Sequence, residues 1–179
     1  MIMKKLILFD PDIEEILLQQ GDEDTASQIV QKIIEIVLRD STHELVIETA
    51  KTLTDRTGIR LVEAVFDYVL MTYPYKSIYH NNQYFVAPVH LLSKKITHIT
   101  DGVTLTSLLA SLLIALKCSV RIELIAWDQA REYEFTHIFL SCSLPNYNQP
   151  IYLDIVNELL DVFPDPPTPI VKHKSFKIN

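Results

Sequence analysis

Residues 103–117 form a stretch that is apolar on almost every side of a helical projection. It contains the run LTSLLASLLIAL and follows the polar turn Thr100-Asp101. A helix that is apolar all round is a buried one. The run is shorter than the roughly 18 to 20 apolar residues that span a bilayer, and hydroxyl side chains interrupt it. The stretch therefore predicts the central buried helix of a soluble domain, with the rest of the chain packed around it.

Composition and charge narrow the class of protein. The chain has 179 residues, 48% of them apolar, which is enough for one domain with a real core. Its net charge of −7 argues against a nucleic-acid partner. The two cysteines, Cys118 and Cys142, predict neither a disulfide framework nor a metal site, and no cofactor is indicated.

The first nine residues, MIMKKLILF, look like the start of a signal peptide. The apolar run is too short for one, however, and Asp10-Pro11-Asp12 follows directly without a cleavage site. We expect a short strand or anchoring segment here, no transmembrane span, and a location in the cytoplasm or in a virion.

Hydrophobic periodicity predicts several helices ahead of the buried one. A short helix is expected over 13–20 and an amphipathic helix over 26–37. Ser41 and Glu44 have the spacing of a capping box for the next helix. A third helix follows from 61 to 72 and stops before Pro74.

Alternation of apolar and polar residues predicts a sheet after the buried helix. Strands are expected over 120–126, 133–143 and 151–155, paired antiparallel. We expect a last helical turn over 157–162, an extended proline-rich run over 163–169, and a solvated basic tail over 172–177.

The turn and the buried helix together resemble the nucleophile segment of the transglutaminase-like cysteine-enzyme superfamily. The family pattern is Gly-Asp-Cys-Asp-Asp followed by a Leu-Leu-Ala-Ser-Leu-Leu type of helix. When the two are aligned on residues 108–113, the first aspartate falls on Asp101 and the catalytic cysteine on Gly102. The two following aspartates fall on Val103 and Thr104, so the frame of the site is present without its nucleophile.

The resemblance extends to two later strands. In the family, a histidine on one strand activates the cysteine and an Asp or Asn on the next strand orients the histidine. The segments FTHIF around His137 and IYLD ending at Asp154 are similar to these strands. The resemblance thus implies that Gly102, His137 and Asp154 are relic triad positions in a transglutaminase-like, papain-like α+β fold. Taken singly, His137 is more typical of a half-buried structural histidine, and Asp154 of a turn former.

No other residue is well placed to replace the missing thiol. Cys118 lies roughly 24 Å along the helix from position 102, at 1.5 Å per residue. Cys142 lies an odd number of residues from His137, which places it on the opposite face of the strand. Thr104 and Ser107 are displaced from the nucleophile position. Loss of three motif positions predicts an inactive domain.

Two upstream segments also resemble the family. Residues 73–79 form an aromatic loop like the one that leads to the cleft, and residues 88–92 resemble the turn before the nucleophile. The resemblance implies a cleft that includes Asp101, Thr104, Tyr75 and Trp127, with no metal.

The sequence as a whole predicts an N-terminal segment and helix over 1–40, a transglutaminase-like core over 41–160, and a proline-rich extended tail over 161–179. The leading hypothesis is a catalytically inactive module that serves as a structural or interaction protein, with a phage virion as the suggested assembly. Its partners would be other protein subunits, docked through the N- and C-terminal segments. Two alternatives stay open: an active cysteine-type hydrolase or acyltransferase, and a peptide-binding pseudoenzyme.

Overall fold

Five helices and seven strands make up the part of the chain that the computed structural model describes, which is residues 6–9, 23–76, 83–93, 100–126, 137–161 and 172–179. In chain order these elements are β1 (Leu6–Phe9), α1 (Glu23–Ser41), α2 (Glu44–Lys51), α3 (Ile59–Thr72), β2 (Gln83–Val86), α4 (Pro88–Leu92), α5 (Gly102–Ala115), β3 (Ser119–Ala126), β4 (His137–Ser143), β5 (Ile151–Asp154), β6 (Leu159–Asp161) and β7 (Lys172–Lys177). The predicted short helix over 13–20 and the proline-rich run over 163–169 lie outside the described residues. The mixed α+β class is confirmed.

Helix α5 is the buried centre of the fold, as predicted. Every residue from Val103 to Ile114 is buried. Helices α1, α2 and α3 pack against it, and so do strands β3 and β4 of the sheet. The helix begins at an Asp101 cap, whose carboxylate accepts the N–H of Thr104 at 2.8 Å. It ends before Lys117, a residue with a left-handed φ of 65°.

The helices before α5 agree with the sequence in position but not in every cap. Helix α1 is amphipathic and longer than predicted, and α3 stops before Pro74 as expected. The prediction of a Ser41–Glu44 capping box is wrong. Ser41 belongs to the last turn of α1, where its hydroxyl donates to the Leu38 carbonyl at 2.8 Å. The ring of His43 caps α2 instead, with Nδ1 accepting the N–H of Leu45 at 3.1 Å.

The main sheet has the order β6-β5-β4-β3-β7, and all of its strand pairs are antiparallel. The three predicted strands appear as β3, β4 and β5. The predicted helical turn over 157–162 is wrong, because β6 forms there after a turn in which Glu158 has a φ of 55°. The residues of β6 pair with β5, so that Leu160 lies opposite Leu153.

The solvated basic tail over 172–177 is also wrong, because this segment is the edge strand β7. It pairs with β3 along its length, with Phe176 opposite Ile122. Asn179 then fixes the end of the pairing. Its side chain accepts the N–H of Val120 at 3.0 Å and donates to the carbonyl of Cys118 at 2.9 Å. Part of the predicted 161–179 tail therefore belongs to the core sheet.

The two faces of this sheet differ in chemistry. Residues that are directly opposite on paired strands share a face. The core face joins the α5 cluster through its apolar side chains, among them Ile122, Leu124, Leu140 and Leu153. The outer face carries the alternate residues, which are Arg121, Glu123, Ile125, His137, Phe139, Ser141, Tyr152 and Asp154. Three of these, Glu123, Ile125 and Ser141, are buried as well.

A second, two-stranded sheet pairs β1 with β2 in parallel. Phe85 and Val86 of β2 are fully buried. The N–H of Val86 donates to the hydroxyl of Thr104 at 3.2 Å, which attaches β2 to the first turn of α5. Among the described residues, no helix combines the length and the hydropathy required to cross a membrane.

Two threonines of α5 provide a matched test of this packing. Thr104 supplies the partner of a buried backbone N–H, whereas the Thr106 hydroxyl is buried without a partner among the described residues. We expect Thr104→Val to lower the free energy of unfolding by about 1–3 kcal/mol, because the buried backbone N–H of Val86 loses the Thr104 hydroxyl as its acceptor. Thr106→Val should leave it unchanged or raise it, since a buried unsatisfied hydroxyl is removed. Urea denaturation of both variants measures the difference, and equal losses would contradict the assignment.

Candidate functional site

His137 and Asp154 form an imidazole–carboxylate pair on the outer face of the sheet. Nε2 of His137 lies 2.6 Å from Oδ2 of Asp154, and the two side chains are only 7% and 14% exposed. Asp154 ends β5 and His137 begins β4, so they are diagonal neighbours on adjacent antiparallel strands. Diagonal neighbours are within reach of long side chains. The structure thus brings together the second and third of the predicted relic positions.

Asp154 also organises the turn that follows it. Its Oδ1 accepts the backbone N–H groups of Val156 and Asn157, and its Oδ2 accepts the Asn157 side-chain amide at 2.7 Å. Burial on its own would raise the pKa of this carboxyl. Hydrogen bonds from His137 and Asn157, together with the charge of His137, lower the pKa below its ordinary value instead. Asp154 is therefore both a turn former and the partner that orients the His137 ring.

Gly102, the predicted nucleophile position, is the first residue of α5 and lies against the same turn. A Cβ atom built on Gly102 would come within 2.7 Å of Cγ2 of Val156. Val156 follows Asp154 by two residues and donates its backbone N–H to that carboxylate, so the N-terminus of α5 and the turn after β5 meet at one corner of the domain. The His137 ring lies on the outer face of the sheet, whereas α5 packs on the core face. A side chain at position 102 would require the Val156 methyl group to move.

Asp101 and Thr104 join this corner to β2. The Asp101 carboxyl accepts the N–H of Thr104 and is hydrogen-bonded by its hydroxyl, which in turn accepts the N–H of Val86. Asp101 is partly buried, and burial raises the pKa of its carboxyl to about 6 in spite of these hydrogen bonds. Asp101 and Thr104 therefore serve the cap and the attachment of β2.

Residues 73–76, the described part of the aromatic loop, lie beside the start of α5. Tyr73 is buried, and burial raises its pKa to about 12. Tyr75, in contrast, is 39% exposed. The loop is tied to the residue before Asp101 by two hydrogen bonds: the N–H of Lys76 donates to the Thr100 carbonyl, and the Thr100 hydroxyl donates to the Pro74 carbonyl. Trp127, the remaining predicted cleft residue, lies outside the described residues.

The two thiols are separated from this corner. Cys142 alternates with His137 along β4 and lies on the core face, as the sequence predicted, where it is opposite Val120. The hydrogen bond with the neighbouring Cys118 thiol, together with burial, raises the pKa of Cys142. A buried thiol with a raised pKa stays protonated, so Cys142 has the character of a structural cysteine.

A second carboxylate–imidazole pair, missed by sequence reasoning, lies on the same outer face. The buried Glu123 carboxylate accepts the Ser141 hydroxyl at 2.5 Å, and its other oxygen lies 2.8 Å from Nε2 of His173. His173 belongs to β7, which was predicted as a tail, so its contact with β3 could not be foreseen. Within KHKSFK, only the stretch Lys172-His173-Lys174-Ser175 alternates between charged and neutral residues, which is a weak signal for a strand.

Comparison with protein-family models, with curated proteins and with solved structures finds no match for this chain. The transglutaminase-like assignment therefore stays a prediction from the sequence motifs. Within the described part of the chain, no group of three or more histidine, cysteine or acidic side chains is arranged to hold a metal ion.

The buried Asp101 carboxyl gives a testable pH dependence. Because its folded-state pKa is near 6 and its ordinary pKa is 3.8, the folded protein binds more protons between these values. Stability from this group is thus fully present below pH 4 and is lost as the pH rises through 6. Asp101→Asn keeps a capping oxygen but cannot ionise. We expect the variant to gain melting temperature relative to the wild type between pH 4 and pH 7.

Thermal denaturation at pH 4, 5, 6 and 7 measures this effect. Asp67→Asn is the matched control, because Asp67 is exposed on α3 and its replacement should leave the pH profile unchanged. Parallel profiles for the wild type and Asp101→Asn would contradict the raised pKa.

Proposed function

We propose that this chain is a catalytically inactive domain of transglutaminase-like architecture that acts as a structural or interaction component of a protein assembly. The single observation that carries the proposal is the contact at Gly102. The position that aligns with the nucleophile has no side chain, and a methyl group of Val156 lies 2.7 Å from where its Cβ would be. A virion is the assembly that the family resemblance suggests.

Because of the contact between Gly102 and Val156, this position differs from a cysteine nucleophile site in more than the missing sulfur atom. A cysteine nucleophile needs a Cβ, a Sγ and an open approach for the substrate carbonyl. Protein interiors are packed closely enough that a 2.7 Å carbon–carbon approach forces one of the two groups to move. Val156 is held in place through its backbone N–H, which donates to Asp154. The turn after β5 has thus been filled in a way that suits packing rather than turnover.

The remaining polar groups of the corner have structural partners. Asp154 binds its own turn, Asp101 caps α5, and Thr104 holds β2. Each of these interactions stabilises a junction between elements, which is what an interaction module requires. The arrangement supports a domain kept for its shape.

Restoring the thiol tests this account of the corner. In Gly102→Cys the new Cβ meets Val156, so the variant should lose stability and its thiol should react slowly with iodoacetamide. In the double variant Gly102→Cys/Val156→Ala the methyl group is gone, and the thiolate gains from its position at a helix N-terminus. We expect alkylation of the double variant to be at least about tenfold faster than that of the single variant at pH 7, following the lower thiol pKa available at such a terminus.

Met71→Cys supplies an ordinary thiol for comparison, since Met71 is 87% exposed. Equal alkylation rates for the single and double variants would remove Val156 as the obstacle. Hydrolase or acyl-transfer activity of the unmodified protein that disappears in His137→Ala would overturn the inactive assignment itself.

A further inference from the structure

Strand β1 is attached to the rest of the described structure through one edge of β2. The pairing is parallel and runs from Leu6 opposite Gln83 to Phe9 opposite Val86. Among the described elements, β1 makes extensive contact with β2 only. A pair of strands contributes little stability without further support. Strand β1 is therefore a discrete unit whose position depends on this one edge.

Strand β2, in contrast, is firmly part of the domain. Phe85 and Val86 are fully buried, β2 packs against α5, and the N–H of Val86 is bound by Thr104. This buried strand is the one that pairs with β1. Because this acceptor edge is fixed by the core, it keeps its form whichever chain supplies the added strand. Addition of an extended segment to a sheet edge is a common mode of protein recognition.

The length of chain between β1 and α1 permits exchange between copies. Thirteen residues, 10–22, separate the two elements. At 3.3–3.6 Å per residue they can span up to about 45 Å. A folded chain of 179 residues has an expected radius of gyration of about 16 Å. The reach of residues 10–22 is therefore comparable with the width of the domain. Strand β1 of one copy can thus reach the β2 edge of a neighbour.

We propose that the β1-binding edge of β2 is a strand-acceptor site, occupied in the assembled protein by strand β1 of a second copy of this chain. The inference rests on the proposed assembly role and names the partner. A second copy offers the apolar sequence LILF in a register that the acceptor already fits. Exchange of an identical element costs little, because the same backbone hydrogen bonds form in either arrangement. Reciprocal exchange closes a dimer, and one-way exchange extends a chain of copies.

Cysteine cross-linking between separately tagged full-length copies tests the proposal. One copy carries Ile7→Cys and the other Tyr84→Cys, which are register partners. Neighbouring strands lie about 4.8 Å apart, within the Cα separation that a disulfide spans. The copies are co-expressed and mildly oxidised, and the products are separated on a non-reducing gel. We expect a mixed dimer joined through positions 7 and 84, verified by mass spectrometry and several times more abundant than in the control.

The control pair combines Ile7→Cys with the exposed Met71→Cys and reports random collision. A single chain that carries both Ile7→Cys and Tyr84→Cys shows whether the strands pair within one copy. If this chain closes only on itself and the mixed dimer does not exceed the control, strand exchange is excluded. Absence of cross-links in all combinations would also overturn the proposal, because β1 would then not occupy the acceptor edge.

The result is separable from the proposed function. Failure of cross-linking in a protein that still assembles, as measured by light scattering, removes the exchange and leaves the assembly role. Enzymatic activity dependent on His137 would remove the inactive assignment and leave the cross-linking result unaffected.

Discussion

The fold depends on the complete burial of helix α5. A helix that is enclosed on every side cannot satisfy its first backbone N–H groups with water, so protein atoms must do so. Asp101 meets this requirement at the cost of a buried carboxyl whose pKa is raised to about 6. The Thr104 hydroxyl extends the cap to β2. The N-terminus of α5 is therefore the point at which the helices, the small parallel sheet and the main sheet are joined.

Packing at the same terminus bears directly on the proposal of an inactive domain. A nucleophile at a helix N-terminus requires an open position, whereas a tightly packed core tends to close it. Here a methyl group of Val156, whose backbone N–H donates to Asp154, lies 2.7 Å from the place of a Cβ atom at Gly102. A side chain at position 102 would therefore require Val156 to move, so the glycine and the turn after β5 fit each other.

The sequence predicts best those elements whose own side chains record their environment. Helix α5 and strand β5 were recognisable because burial on all sides and on alternate sides leaves a pattern. Strand β7 leaves little pattern, because KHKSFK is ordered by backbone pairing with β3 and by the Asn179 side chain. Ser41 was predicted to cap α2, but α1 extends to include this serine, so the His43 ring forms the cap instead. The contact of Gly102 with Val156 joins distant segments, so no local pattern could show it.

The outer face of the sheet provides its own comparison for the His137–Asp154 pair. Glu123 and His173 form a pair of the same chemistry on neighbouring strands, and there the carboxylate is fully engaged by Ser141 and the histidine. An imidazole hydrogen-bonded to a buried carboxylate is thus a recurrent way in which this sheet ties its strands together. The pair at 137 and 154 differs in lying beside the turn that meets position 102. Because the same pairing chemistry occurs twice on this sheet, the His137–Asp154 pair alone does not distinguish a catalytic site from a structural contact.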